Sequence, residues 1–241
     1  MDGPRPDGYF GHPCIDCSPM DAPKMKQVSD DDLTERGGRI GDDNSSVLLI
    51  ACGAIAREVL AVTNSAGLNH ITLQCLPAKL HNEPDKITPA AKEMLDTTRG
   101  QFGQTFILYA DCGTGGQLFD LCKEYGVEML KGPHCYSFFE GNGAFEKRTE
   151  ADFMSFYLTD FLVRQFEAFV VRPLGLDRNP ELREMYFGNY EKLVYQVQVP
   201  DPALDKKAEE CAEFLGLAYE RIETGYGDLQ VELKQWLAAP D

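Results

Sequence analysis

Short continuous apolar runs alternate along this chain with stretches whose apolar residues recur every three or four positions. Val47-Leu48-Leu49-Ile50-Ala51 is bounded by Cys52-Gly53; it is too short for an independent helix and predicts a core strand buried on both faces. Residues 54–66 then set Ile55, Val59 and Val62 at helical spacing and close at Gly67, a good C-terminal stop. This βα unit recurs. Residues 70–76 read as a second strand, and a loop through Pro77, His81 and Pro84 leads to a helix over 88–99, with Pro89 suited to its first turn. Residues 105–110 give a third strand, and 114–125 a helix with Leu118, Leu121 and Cys122 on one face and Gly126 as its stop. Residues 127–130 give a fourth strand.

Beyond Cys135 the pattern predicts a helix over 138–146, a short strand over 153–158 and a helix over 161–171 that stops before Pro173. A strand over 193–199, a helix over 203–215 and a last βα pair over 218–222 and 228–237 follow, as an extension of the same core. Strict alternation with short connections predicts an α/β fold: a doubly wound three-layer sandwich with a mainly parallel sheet. Residues 1–45 differ, with Pro, Gly and the acidic run Ser29-Asp30-Asp31-Asp32, and read as a flexible or wrapping N-terminal arm. Residues 46–238 form a single α/β domain in this reading.

Charge narrows the partners. Twenty-three Lys and Arg against 39 Asp and Glu leave a formal charge of −16, which repels phosphate backbones and anionic lipid and argues against nucleic acid. No run approaches the roughly 20 apolar residues that span a bilayer, and the N-terminus has no apolar signal core, so a cytoplasmic protein is expected. Eight cysteines scattered over 241 residues resemble reduced thiols with metal or redox work more than a disulfide scaffold.

The candidate chemistry stands at the strand ends. Cys52, His81, Cys112 and the pair His134 and Cys135 each follow a predicted strand, and in a parallel sheet they gather at the carboxyl edge, where open α/β sheets bind ligands. Thiolates with an imidazole select zinc or iron, including an iron–sulfur cluster, over magnesium or calcium. Cys52, His81, Cys112 and Cys135 are therefore the expected metal ligands, and His134 an acid–base residue. Gly53, Gly113 and Thr114 mark where the backbone would meet a bound group, since Asp111-Cys112-Gly113-Thr114-Gly115-Gly116 is a glycine-rich turn before a helix. Its spacing matches neither the phosphate-loop nor the dinucleotide pattern. Asp111 is a ligand, a base or a helix cap. Glu58 and Glu140 are candidates to accept a proton from bound water or a substrate thiol, against the plain reading of solvated helix residues. Tyr136, Tyr157 and Arg57 are candidate substrate contacts. Cys14 and Cys17 in the arm have chelating spacing without a second pair, and Cys75, Cys122 and Cys211 read as core packing.

Leu49-Ile50-Ala51-Cys52-Gly53 with Glu58, Leu80-His81-Asn82-Glu83-Pro84, Tyr109-Ala110-Asp111-Cys112-Gly113, Cys135 and Tyr157-Leu158-Thr159, taken in order, resemble the domain of unknown function 1638 family over about residues 47–236. Ala110-Asp111 departs from the Tyr-Gly pair expected there. The resemblance names no activity; through the setting in which members are described, it implies one-carbon metabolism of methylamines or betaine and a corrinoid methyltransferase-type protein partner.

The expected function is a metal-dependent enzyme acting on a small-molecule substrate, a transferase or hydrolase, with an open position on its ion. An iron–sulfur or zinc accessory protein without its own catalysis is one alternative, and a metal-free enzyme with Cys52 or Cys112 as nucleophile is another. The sequence leaves a homo-oligomer open.

Overall fold

The computed structural model describes residues 28–41, 45–68, 70–151 and 153–237; the predicted chelating pair Cys14 and Cys17 lies outside them. Among the described residues the fold is mixed α/β with two sheets. The first holds β1 (Gly38–Ile40), β2 (Val47–Cys52), β3 (Ile71–Leu76), β4 (Gln104–Leu108) and β5 (Glu128–Met129) in the order β1-β3-β2-β4-β5. All its pairings are parallel except β1 with β3. The run Val47–Cys52 occupies the centre, and every residue of it is buried, as a strand covered on both faces requires.

Helices α2 (Ala56–Ser65), α3 (Ile87–Thr97) and α4 (Gln117–Tyr125) follow β2, β3 and β4, within a few residues of the ranges read from the periodicity. Their buried stripes, Val59 and Val62, then Ile87, Ala91 and Leu95, then Leu118, Leu121 and Cys122, recur at helical spacing. The chain leaves β2 toward β3 on one side and returns to β4 on the other. This reversal is the switch point at which strand ends diverge and a crevice opens.

Two features were hidden in the arm. Ser29 caps α1 (Asp30–Glu35), accepting from the Asp32 amide, and β1 follows. The acidic run is the first turn of this helix, where carboxylates suit the dipole, and Asp30 pairs with Arg57 at 2.7 Å and Arg164 at 2.8 Å.

The C-terminal strands do not extend the first sheet. β6 (Ser155–Thr159), β7 (Lys192–Val197) and β8 (Ala218–Glu223) make a second, wholly parallel sheet in the order β6-β7-β8. β5 pairs with β4 at two positions and offers little template for a further strand. The helix expected over 138–146 is instead two, α5 (Ser137–Glu140) and α6 (Asn142–Ala151), divided at Gly141 with φ +89°. That expected over 161–171 is α7 (Asp160–Arg164) followed by a π turn over Glu167–Val171. After α8 (Leu182–Phe187) and α9 (Pro202–Leu215), α10 (Gly227–Leu237) returns to the first half, where Trp236 stacks on Phe106 of β4 at 4.9 Å. Buried apolar residues from Leu33 to Leu237 form one contiguous cluster. No helix among the described residues is long and apolar enough to cross a membrane.

Candidate functional site

Cys52 ends β2 at the centre of the first sheet. On the neighbouring strand the chain leaves β4 through Tyr109-Ala110-Asp111-Cys112, and one strand further it leaves β5 through the loop to Cys135. Backbone hydrogen bonds tie these two loops together, from the Asp111 amide to the Gly132 carbonyl at 3.0 Å and from the Cys112 amide to the Pro133 carbonyl at 2.9 Å. They bring Cys112 Sγ to 3.2 Å from Cys135 Sγ. Cys135 also hydrogen-bonds with Cys52, so three sulfurs from three strand ends meet.

A small cavity of about 30 Å³ is walled by Cys52, His81, Tyr109, Cys112 and Cys135 together with apolar side chains including Phe139, Leu162 and Phe169. It has room for one or two waters or an ion. His81 reaches this wall from the turn after β3, its ring edge-on to Phe169 at 6.2 Å. The π turn makes that contact, since Phe169 lies within it; such turns often mark functional sites. His81 keeps a solvent-exposed flank while packing on its inner side lowers the imidazole pKa.

The thiols are not equivalent. Hydrogen bonding from Cys135 pulls the Cys52 thiol below its ordinary value against the opposing effect of burial, with help from the Ala54 amide. Hydrogen bonds to Cys112 and Cys52 hold Cys135 well above the usual range, so it keeps its proton more tightly than Cys52 does. The Tyr109 hydroxyl faces Cys52 without a well-aligned partner and is a buried orphan, its pKa raised by burial. Cys112 is the one non-glycine residue with positive φ among the described residues, at +47°, a conformation that costs an L residue energy and persists where its surroundings impose it.

The glycine-rich turn is filled from within. Asp111 accepts from the Gly116 amide at 2.6 Å, the Gly115 amide at 3.3 Å and the Thr114 hydroxyl at 3.0 Å. Burial raises the Asp111 pKa, but the bonds from Gly116, Thr114, Gly115 and Gly113 outweigh it and hold the carboxyl low. Of the three readings of Asp111, the cap is the one these bonds describe. Thr114 and its neighbouring amides serve this carboxylate, and Gly113 meets Pro84, with a Cβ there 3.3 Å from the proline ring. Gly53 lies under α1, where a Cβ would stand 2.5 Å from the Leu33 carbonyl oxygen. These backbone positions are thus occupied by the protein's own contacts.

A second, wider cavity of about 580 Å³ adjoins the first through Tyr136, which lines both. His134 is on its wall and stacks on Tyr136 at 4.9 Å, and Tyr136 stacks on Tyr157 at 5.8 Å. Three residues named from the sequence, His134, Tyr136 and Tyr157, therefore stand together here. Glu58 and Glu140 line neither cavity. Glu58 is buried on α2, and Glu140 pairs with Arg148 at 2.7 Å. Arg57 is engaged by Asp30. Burial raises Cys122 and Cys211 to about 11 and Cys75 further, as inert core thiols require. Tyr109 and Phe169 were not singled out from sequence. Tyr109 was legible as the residue after a strand beside Cys52; Phe169 depends on a π turn that periodicity does not announce.

Among the described residues, no group of three or more His, Cys, Asp or Glu is placed so that it could hold a metal ion as it stands. The thiols touch each other instead of surrounding a point. Sulfurs in a tetrahedral zinc site lie about 3.8 Å apart, given bonds of about 2.3 Å, so the 3.2 Å contact would have to widen by about half an ångström. Deprotonation removes the hydrogen bonds that draw these sulfurs together. The donor chemistry fits a soft ion; the spacing is that of protonated thiols.

A family model described as Protein of unknown function (DUF1638) matches residues 75–233, well over half of the 241. The match starts later than the motifs that suggested it, so Cys52, Gly53 and Glu58 precede it while His81, Cys112 and Cys135 lie inside. No curated protein and no solved structure matches the chain.

Proposed function

This chain belongs to the DUF1638 family of proteins of unknown function, and from that premise we propose that it is a metal-dependent enzyme whose ion, zinc or iron, is held by Cys52, Cys112 and Cys135 with His81 beside them. The observation that carries the reading is the convergence of three sulfurs and an imidazole, from four separate strand ends, on one ion-sized cavity. When bound, such an ion supplies a Lewis acid that activates water or a thiol. Phe139, Leu162 and Phe169 exclude bulk water from the cavity, which strengthens every polar interaction inside it. The wide cavity receives a small-molecule substrate, with Tyr136 as the wall between substrate and sulfurs and His134 as proton carrier. In this reading residues 46–238 are one domain, to which β1 of the arm adds an edge strand, and the first sheet is the middle layer of a doubly wound three-layer sandwich, consistent with β2 being buried throughout. Free thiols at the centre of the site favour a reducing cytoplasm. A place in methyl-group or one-carbon metabolism, beside a corrinoid methyltransferase-type partner, belongs to the same proposal through the family resemblance.

Elemental analysis with an absorption spectrum of the anaerobically purified chain tests the reading. About one zinc or iron per chain is expected, lost in Cys52→Ala and in Cys112→Ala while circular dichroism stays unchanged. Absence of stoichiometric metal, or metal retained by both variants, would sink it. The depressed Cys52 thiol supports a second reading, a metal-free enzyme with Cys52 as nucleophile. A metal-free chain whose Cys52 is alkylated faster than free cysteine would establish that one instead.

A further inference from the structure

We propose that Cys112 and Cys135 are a redox dithiol that low-molecular-weight disulfides convert to an intramolecular disulfide, withdrawing two of the three sulfurs from the ion site. The consequence for the ion rests on the metal reading above; the sulfur chemistry does not. The two sulfurs are 3.2 Å apart, and a bond of about 2.05 Å needs an approach of about 1 Å. The backbone bonds from Asp111 to Gly132 and from Cys112 to Pro133 hold the two loops together throughout. Both residues are half-buried, whereas Cys52, Cys75, Cys122 and Cys211 are buried. Cys112 also borders the exposed Gly113 and Gly115, which gives a reagent access to it.

The exchange balances without a further reactant. The Cys112 sulfur, as thiolate, attacks one sulfur of the small disulfide, whose S–S bond breaks; the departing thiolate takes up the proton Cys112 gave to water. Cys135 then attacks the Cys112 sulfur of this mixed disulfide and expels the second small thiol, which receives the Cys135 proton. The protein loses two electrons and two protons, and the small disulfide gains both. Cys52 is left as a single thiol with His81, too few donors for a closed site.

The test uses the full chain, reduced and loaded with zinc under anaerobic conditions, then exposed to oxidised glutathione. Peptide mapping is expected to show a Cys112–Cys135 linkage, the intact mass to fall by two hydrogens, and zinc to be released in step with the linkage. Cys135→Ser should halt with glutathione attached to Cys112, and Cys52→Ala should still form the linkage. A linkage confined to Cys14 and Cys17, glutathione adducts with no Cys112–Cys135 peptide in the unmodified chain, or zinc retained by fully linked protein overturns the proposal. Should the reduced chain take up no zinc, the metal reading fails, while the mapped linkage still decides for or against the dithiol.

Discussion

The Asp111 carboxylate lies 2.6 Å from the Gly116 amide nitrogen, within the concavity that the glycine-rich turn makes at the head of α4. Such a turn offers N–H groups to an anion, and here the anion is the residue that precedes Cys112. Removing it strands the Gly115 and Gly116 amides. Asp111→Ala is expected to cost about 1–2 kcal/mol of stability, and Asp111→Asn less, as for other caps. Urea unfolding measures this; an unshifted midpoint for Asp111→Ala would show that water satisfies the turn equally well.

That capping bond also shows where sequence reading stopped. The run Val47–Cys52 and the helical stripes of α2, α3 and α4 were legible because burial on one or both faces writes a period into the residues. From the alternation came the convergence of Cys52, His81, Cys112 and Cys135, which all line one cavity. The second sheet was not legible as separate, because strand periodicity says nothing about which edge a strand joins. Nor does a glycine-rich turn reveal whether its amides await a ligand or are already filled by Asp111. Glu58 and Glu140 were candidate proton acceptors by residue type, and helix geometry turns both away from the two cavities. β1 and α1 were missed because three strand residues and six helical ones carry too little periodicity to stand out against a polar arm.

Cys112 holds φ at +47°, so its backbone should prefer glycine to alanine once the sulfur is gone. Left-handed geometry costs an L residue about 1–2 kcal/mol. Cys112→Gly is therefore expected to exceed Cys112→Ala in stability by about 1 kcal/mol, offset in part by the greater entropy of glycine in the unfolded chain. Both variants lose the same sulfur, so the difference isolates the backbone. Thermal unfolding of the pair, reduced and metal-free, checks it; alanine equal to or better than glycine would remove the argument for strain at the site.

Asp160 begins α7 and joins it to the second sheet. Its carboxylate accepts from the Tyr195 hydroxyl at 2.8 Å, the Gln198 amide at 3.2 Å and the Val199 amide at 3.0 Å, all at or near the end of β7. Asp160→Ala leaves these donors with no acceptor, at about 1–3 kcal/mol for each one that stays buried. A total loss of about 3–5 kcal/mol is expected, against about 1 kcal/mol for Tyr195→Phe, which removes one donor. Denaturant titration of both variants separates them; equal losses would mean that the tyrosine alone holds the carboxylate in place.

Glu58 is 5% exposed, and Oε2 of its carboxyl is buried without a hydrogen-bond partner. Burial raises its pKa to about 7, with Asp160 adding to the rise, against its own backbone hydrogen bond and the charges of Arg164 and Arg57. The folded chain thus holds this proton more tightly than the unfolded chain, whose glutamate titrates near the ordinary value of 4.5. Stability from this group is complete below about 4.5 and is lost as the pH rises through about 7. The full loss is of order 3 kcal/mol at 1.36 kcal/mol per pH unit. Glu58→Gln cannot ionise, so it should exceed the parent by no more than about 1 kcal/mol near pH 5 and by up to about 3 kcal/mol at pH 8. Urea unfolding at the two pH values reads the difference directly. A parent chain that gains on Glu58→Gln between pH 5 and pH 8 would show that Arg164 stabilises an ionised Glu58 more than burial opposes it.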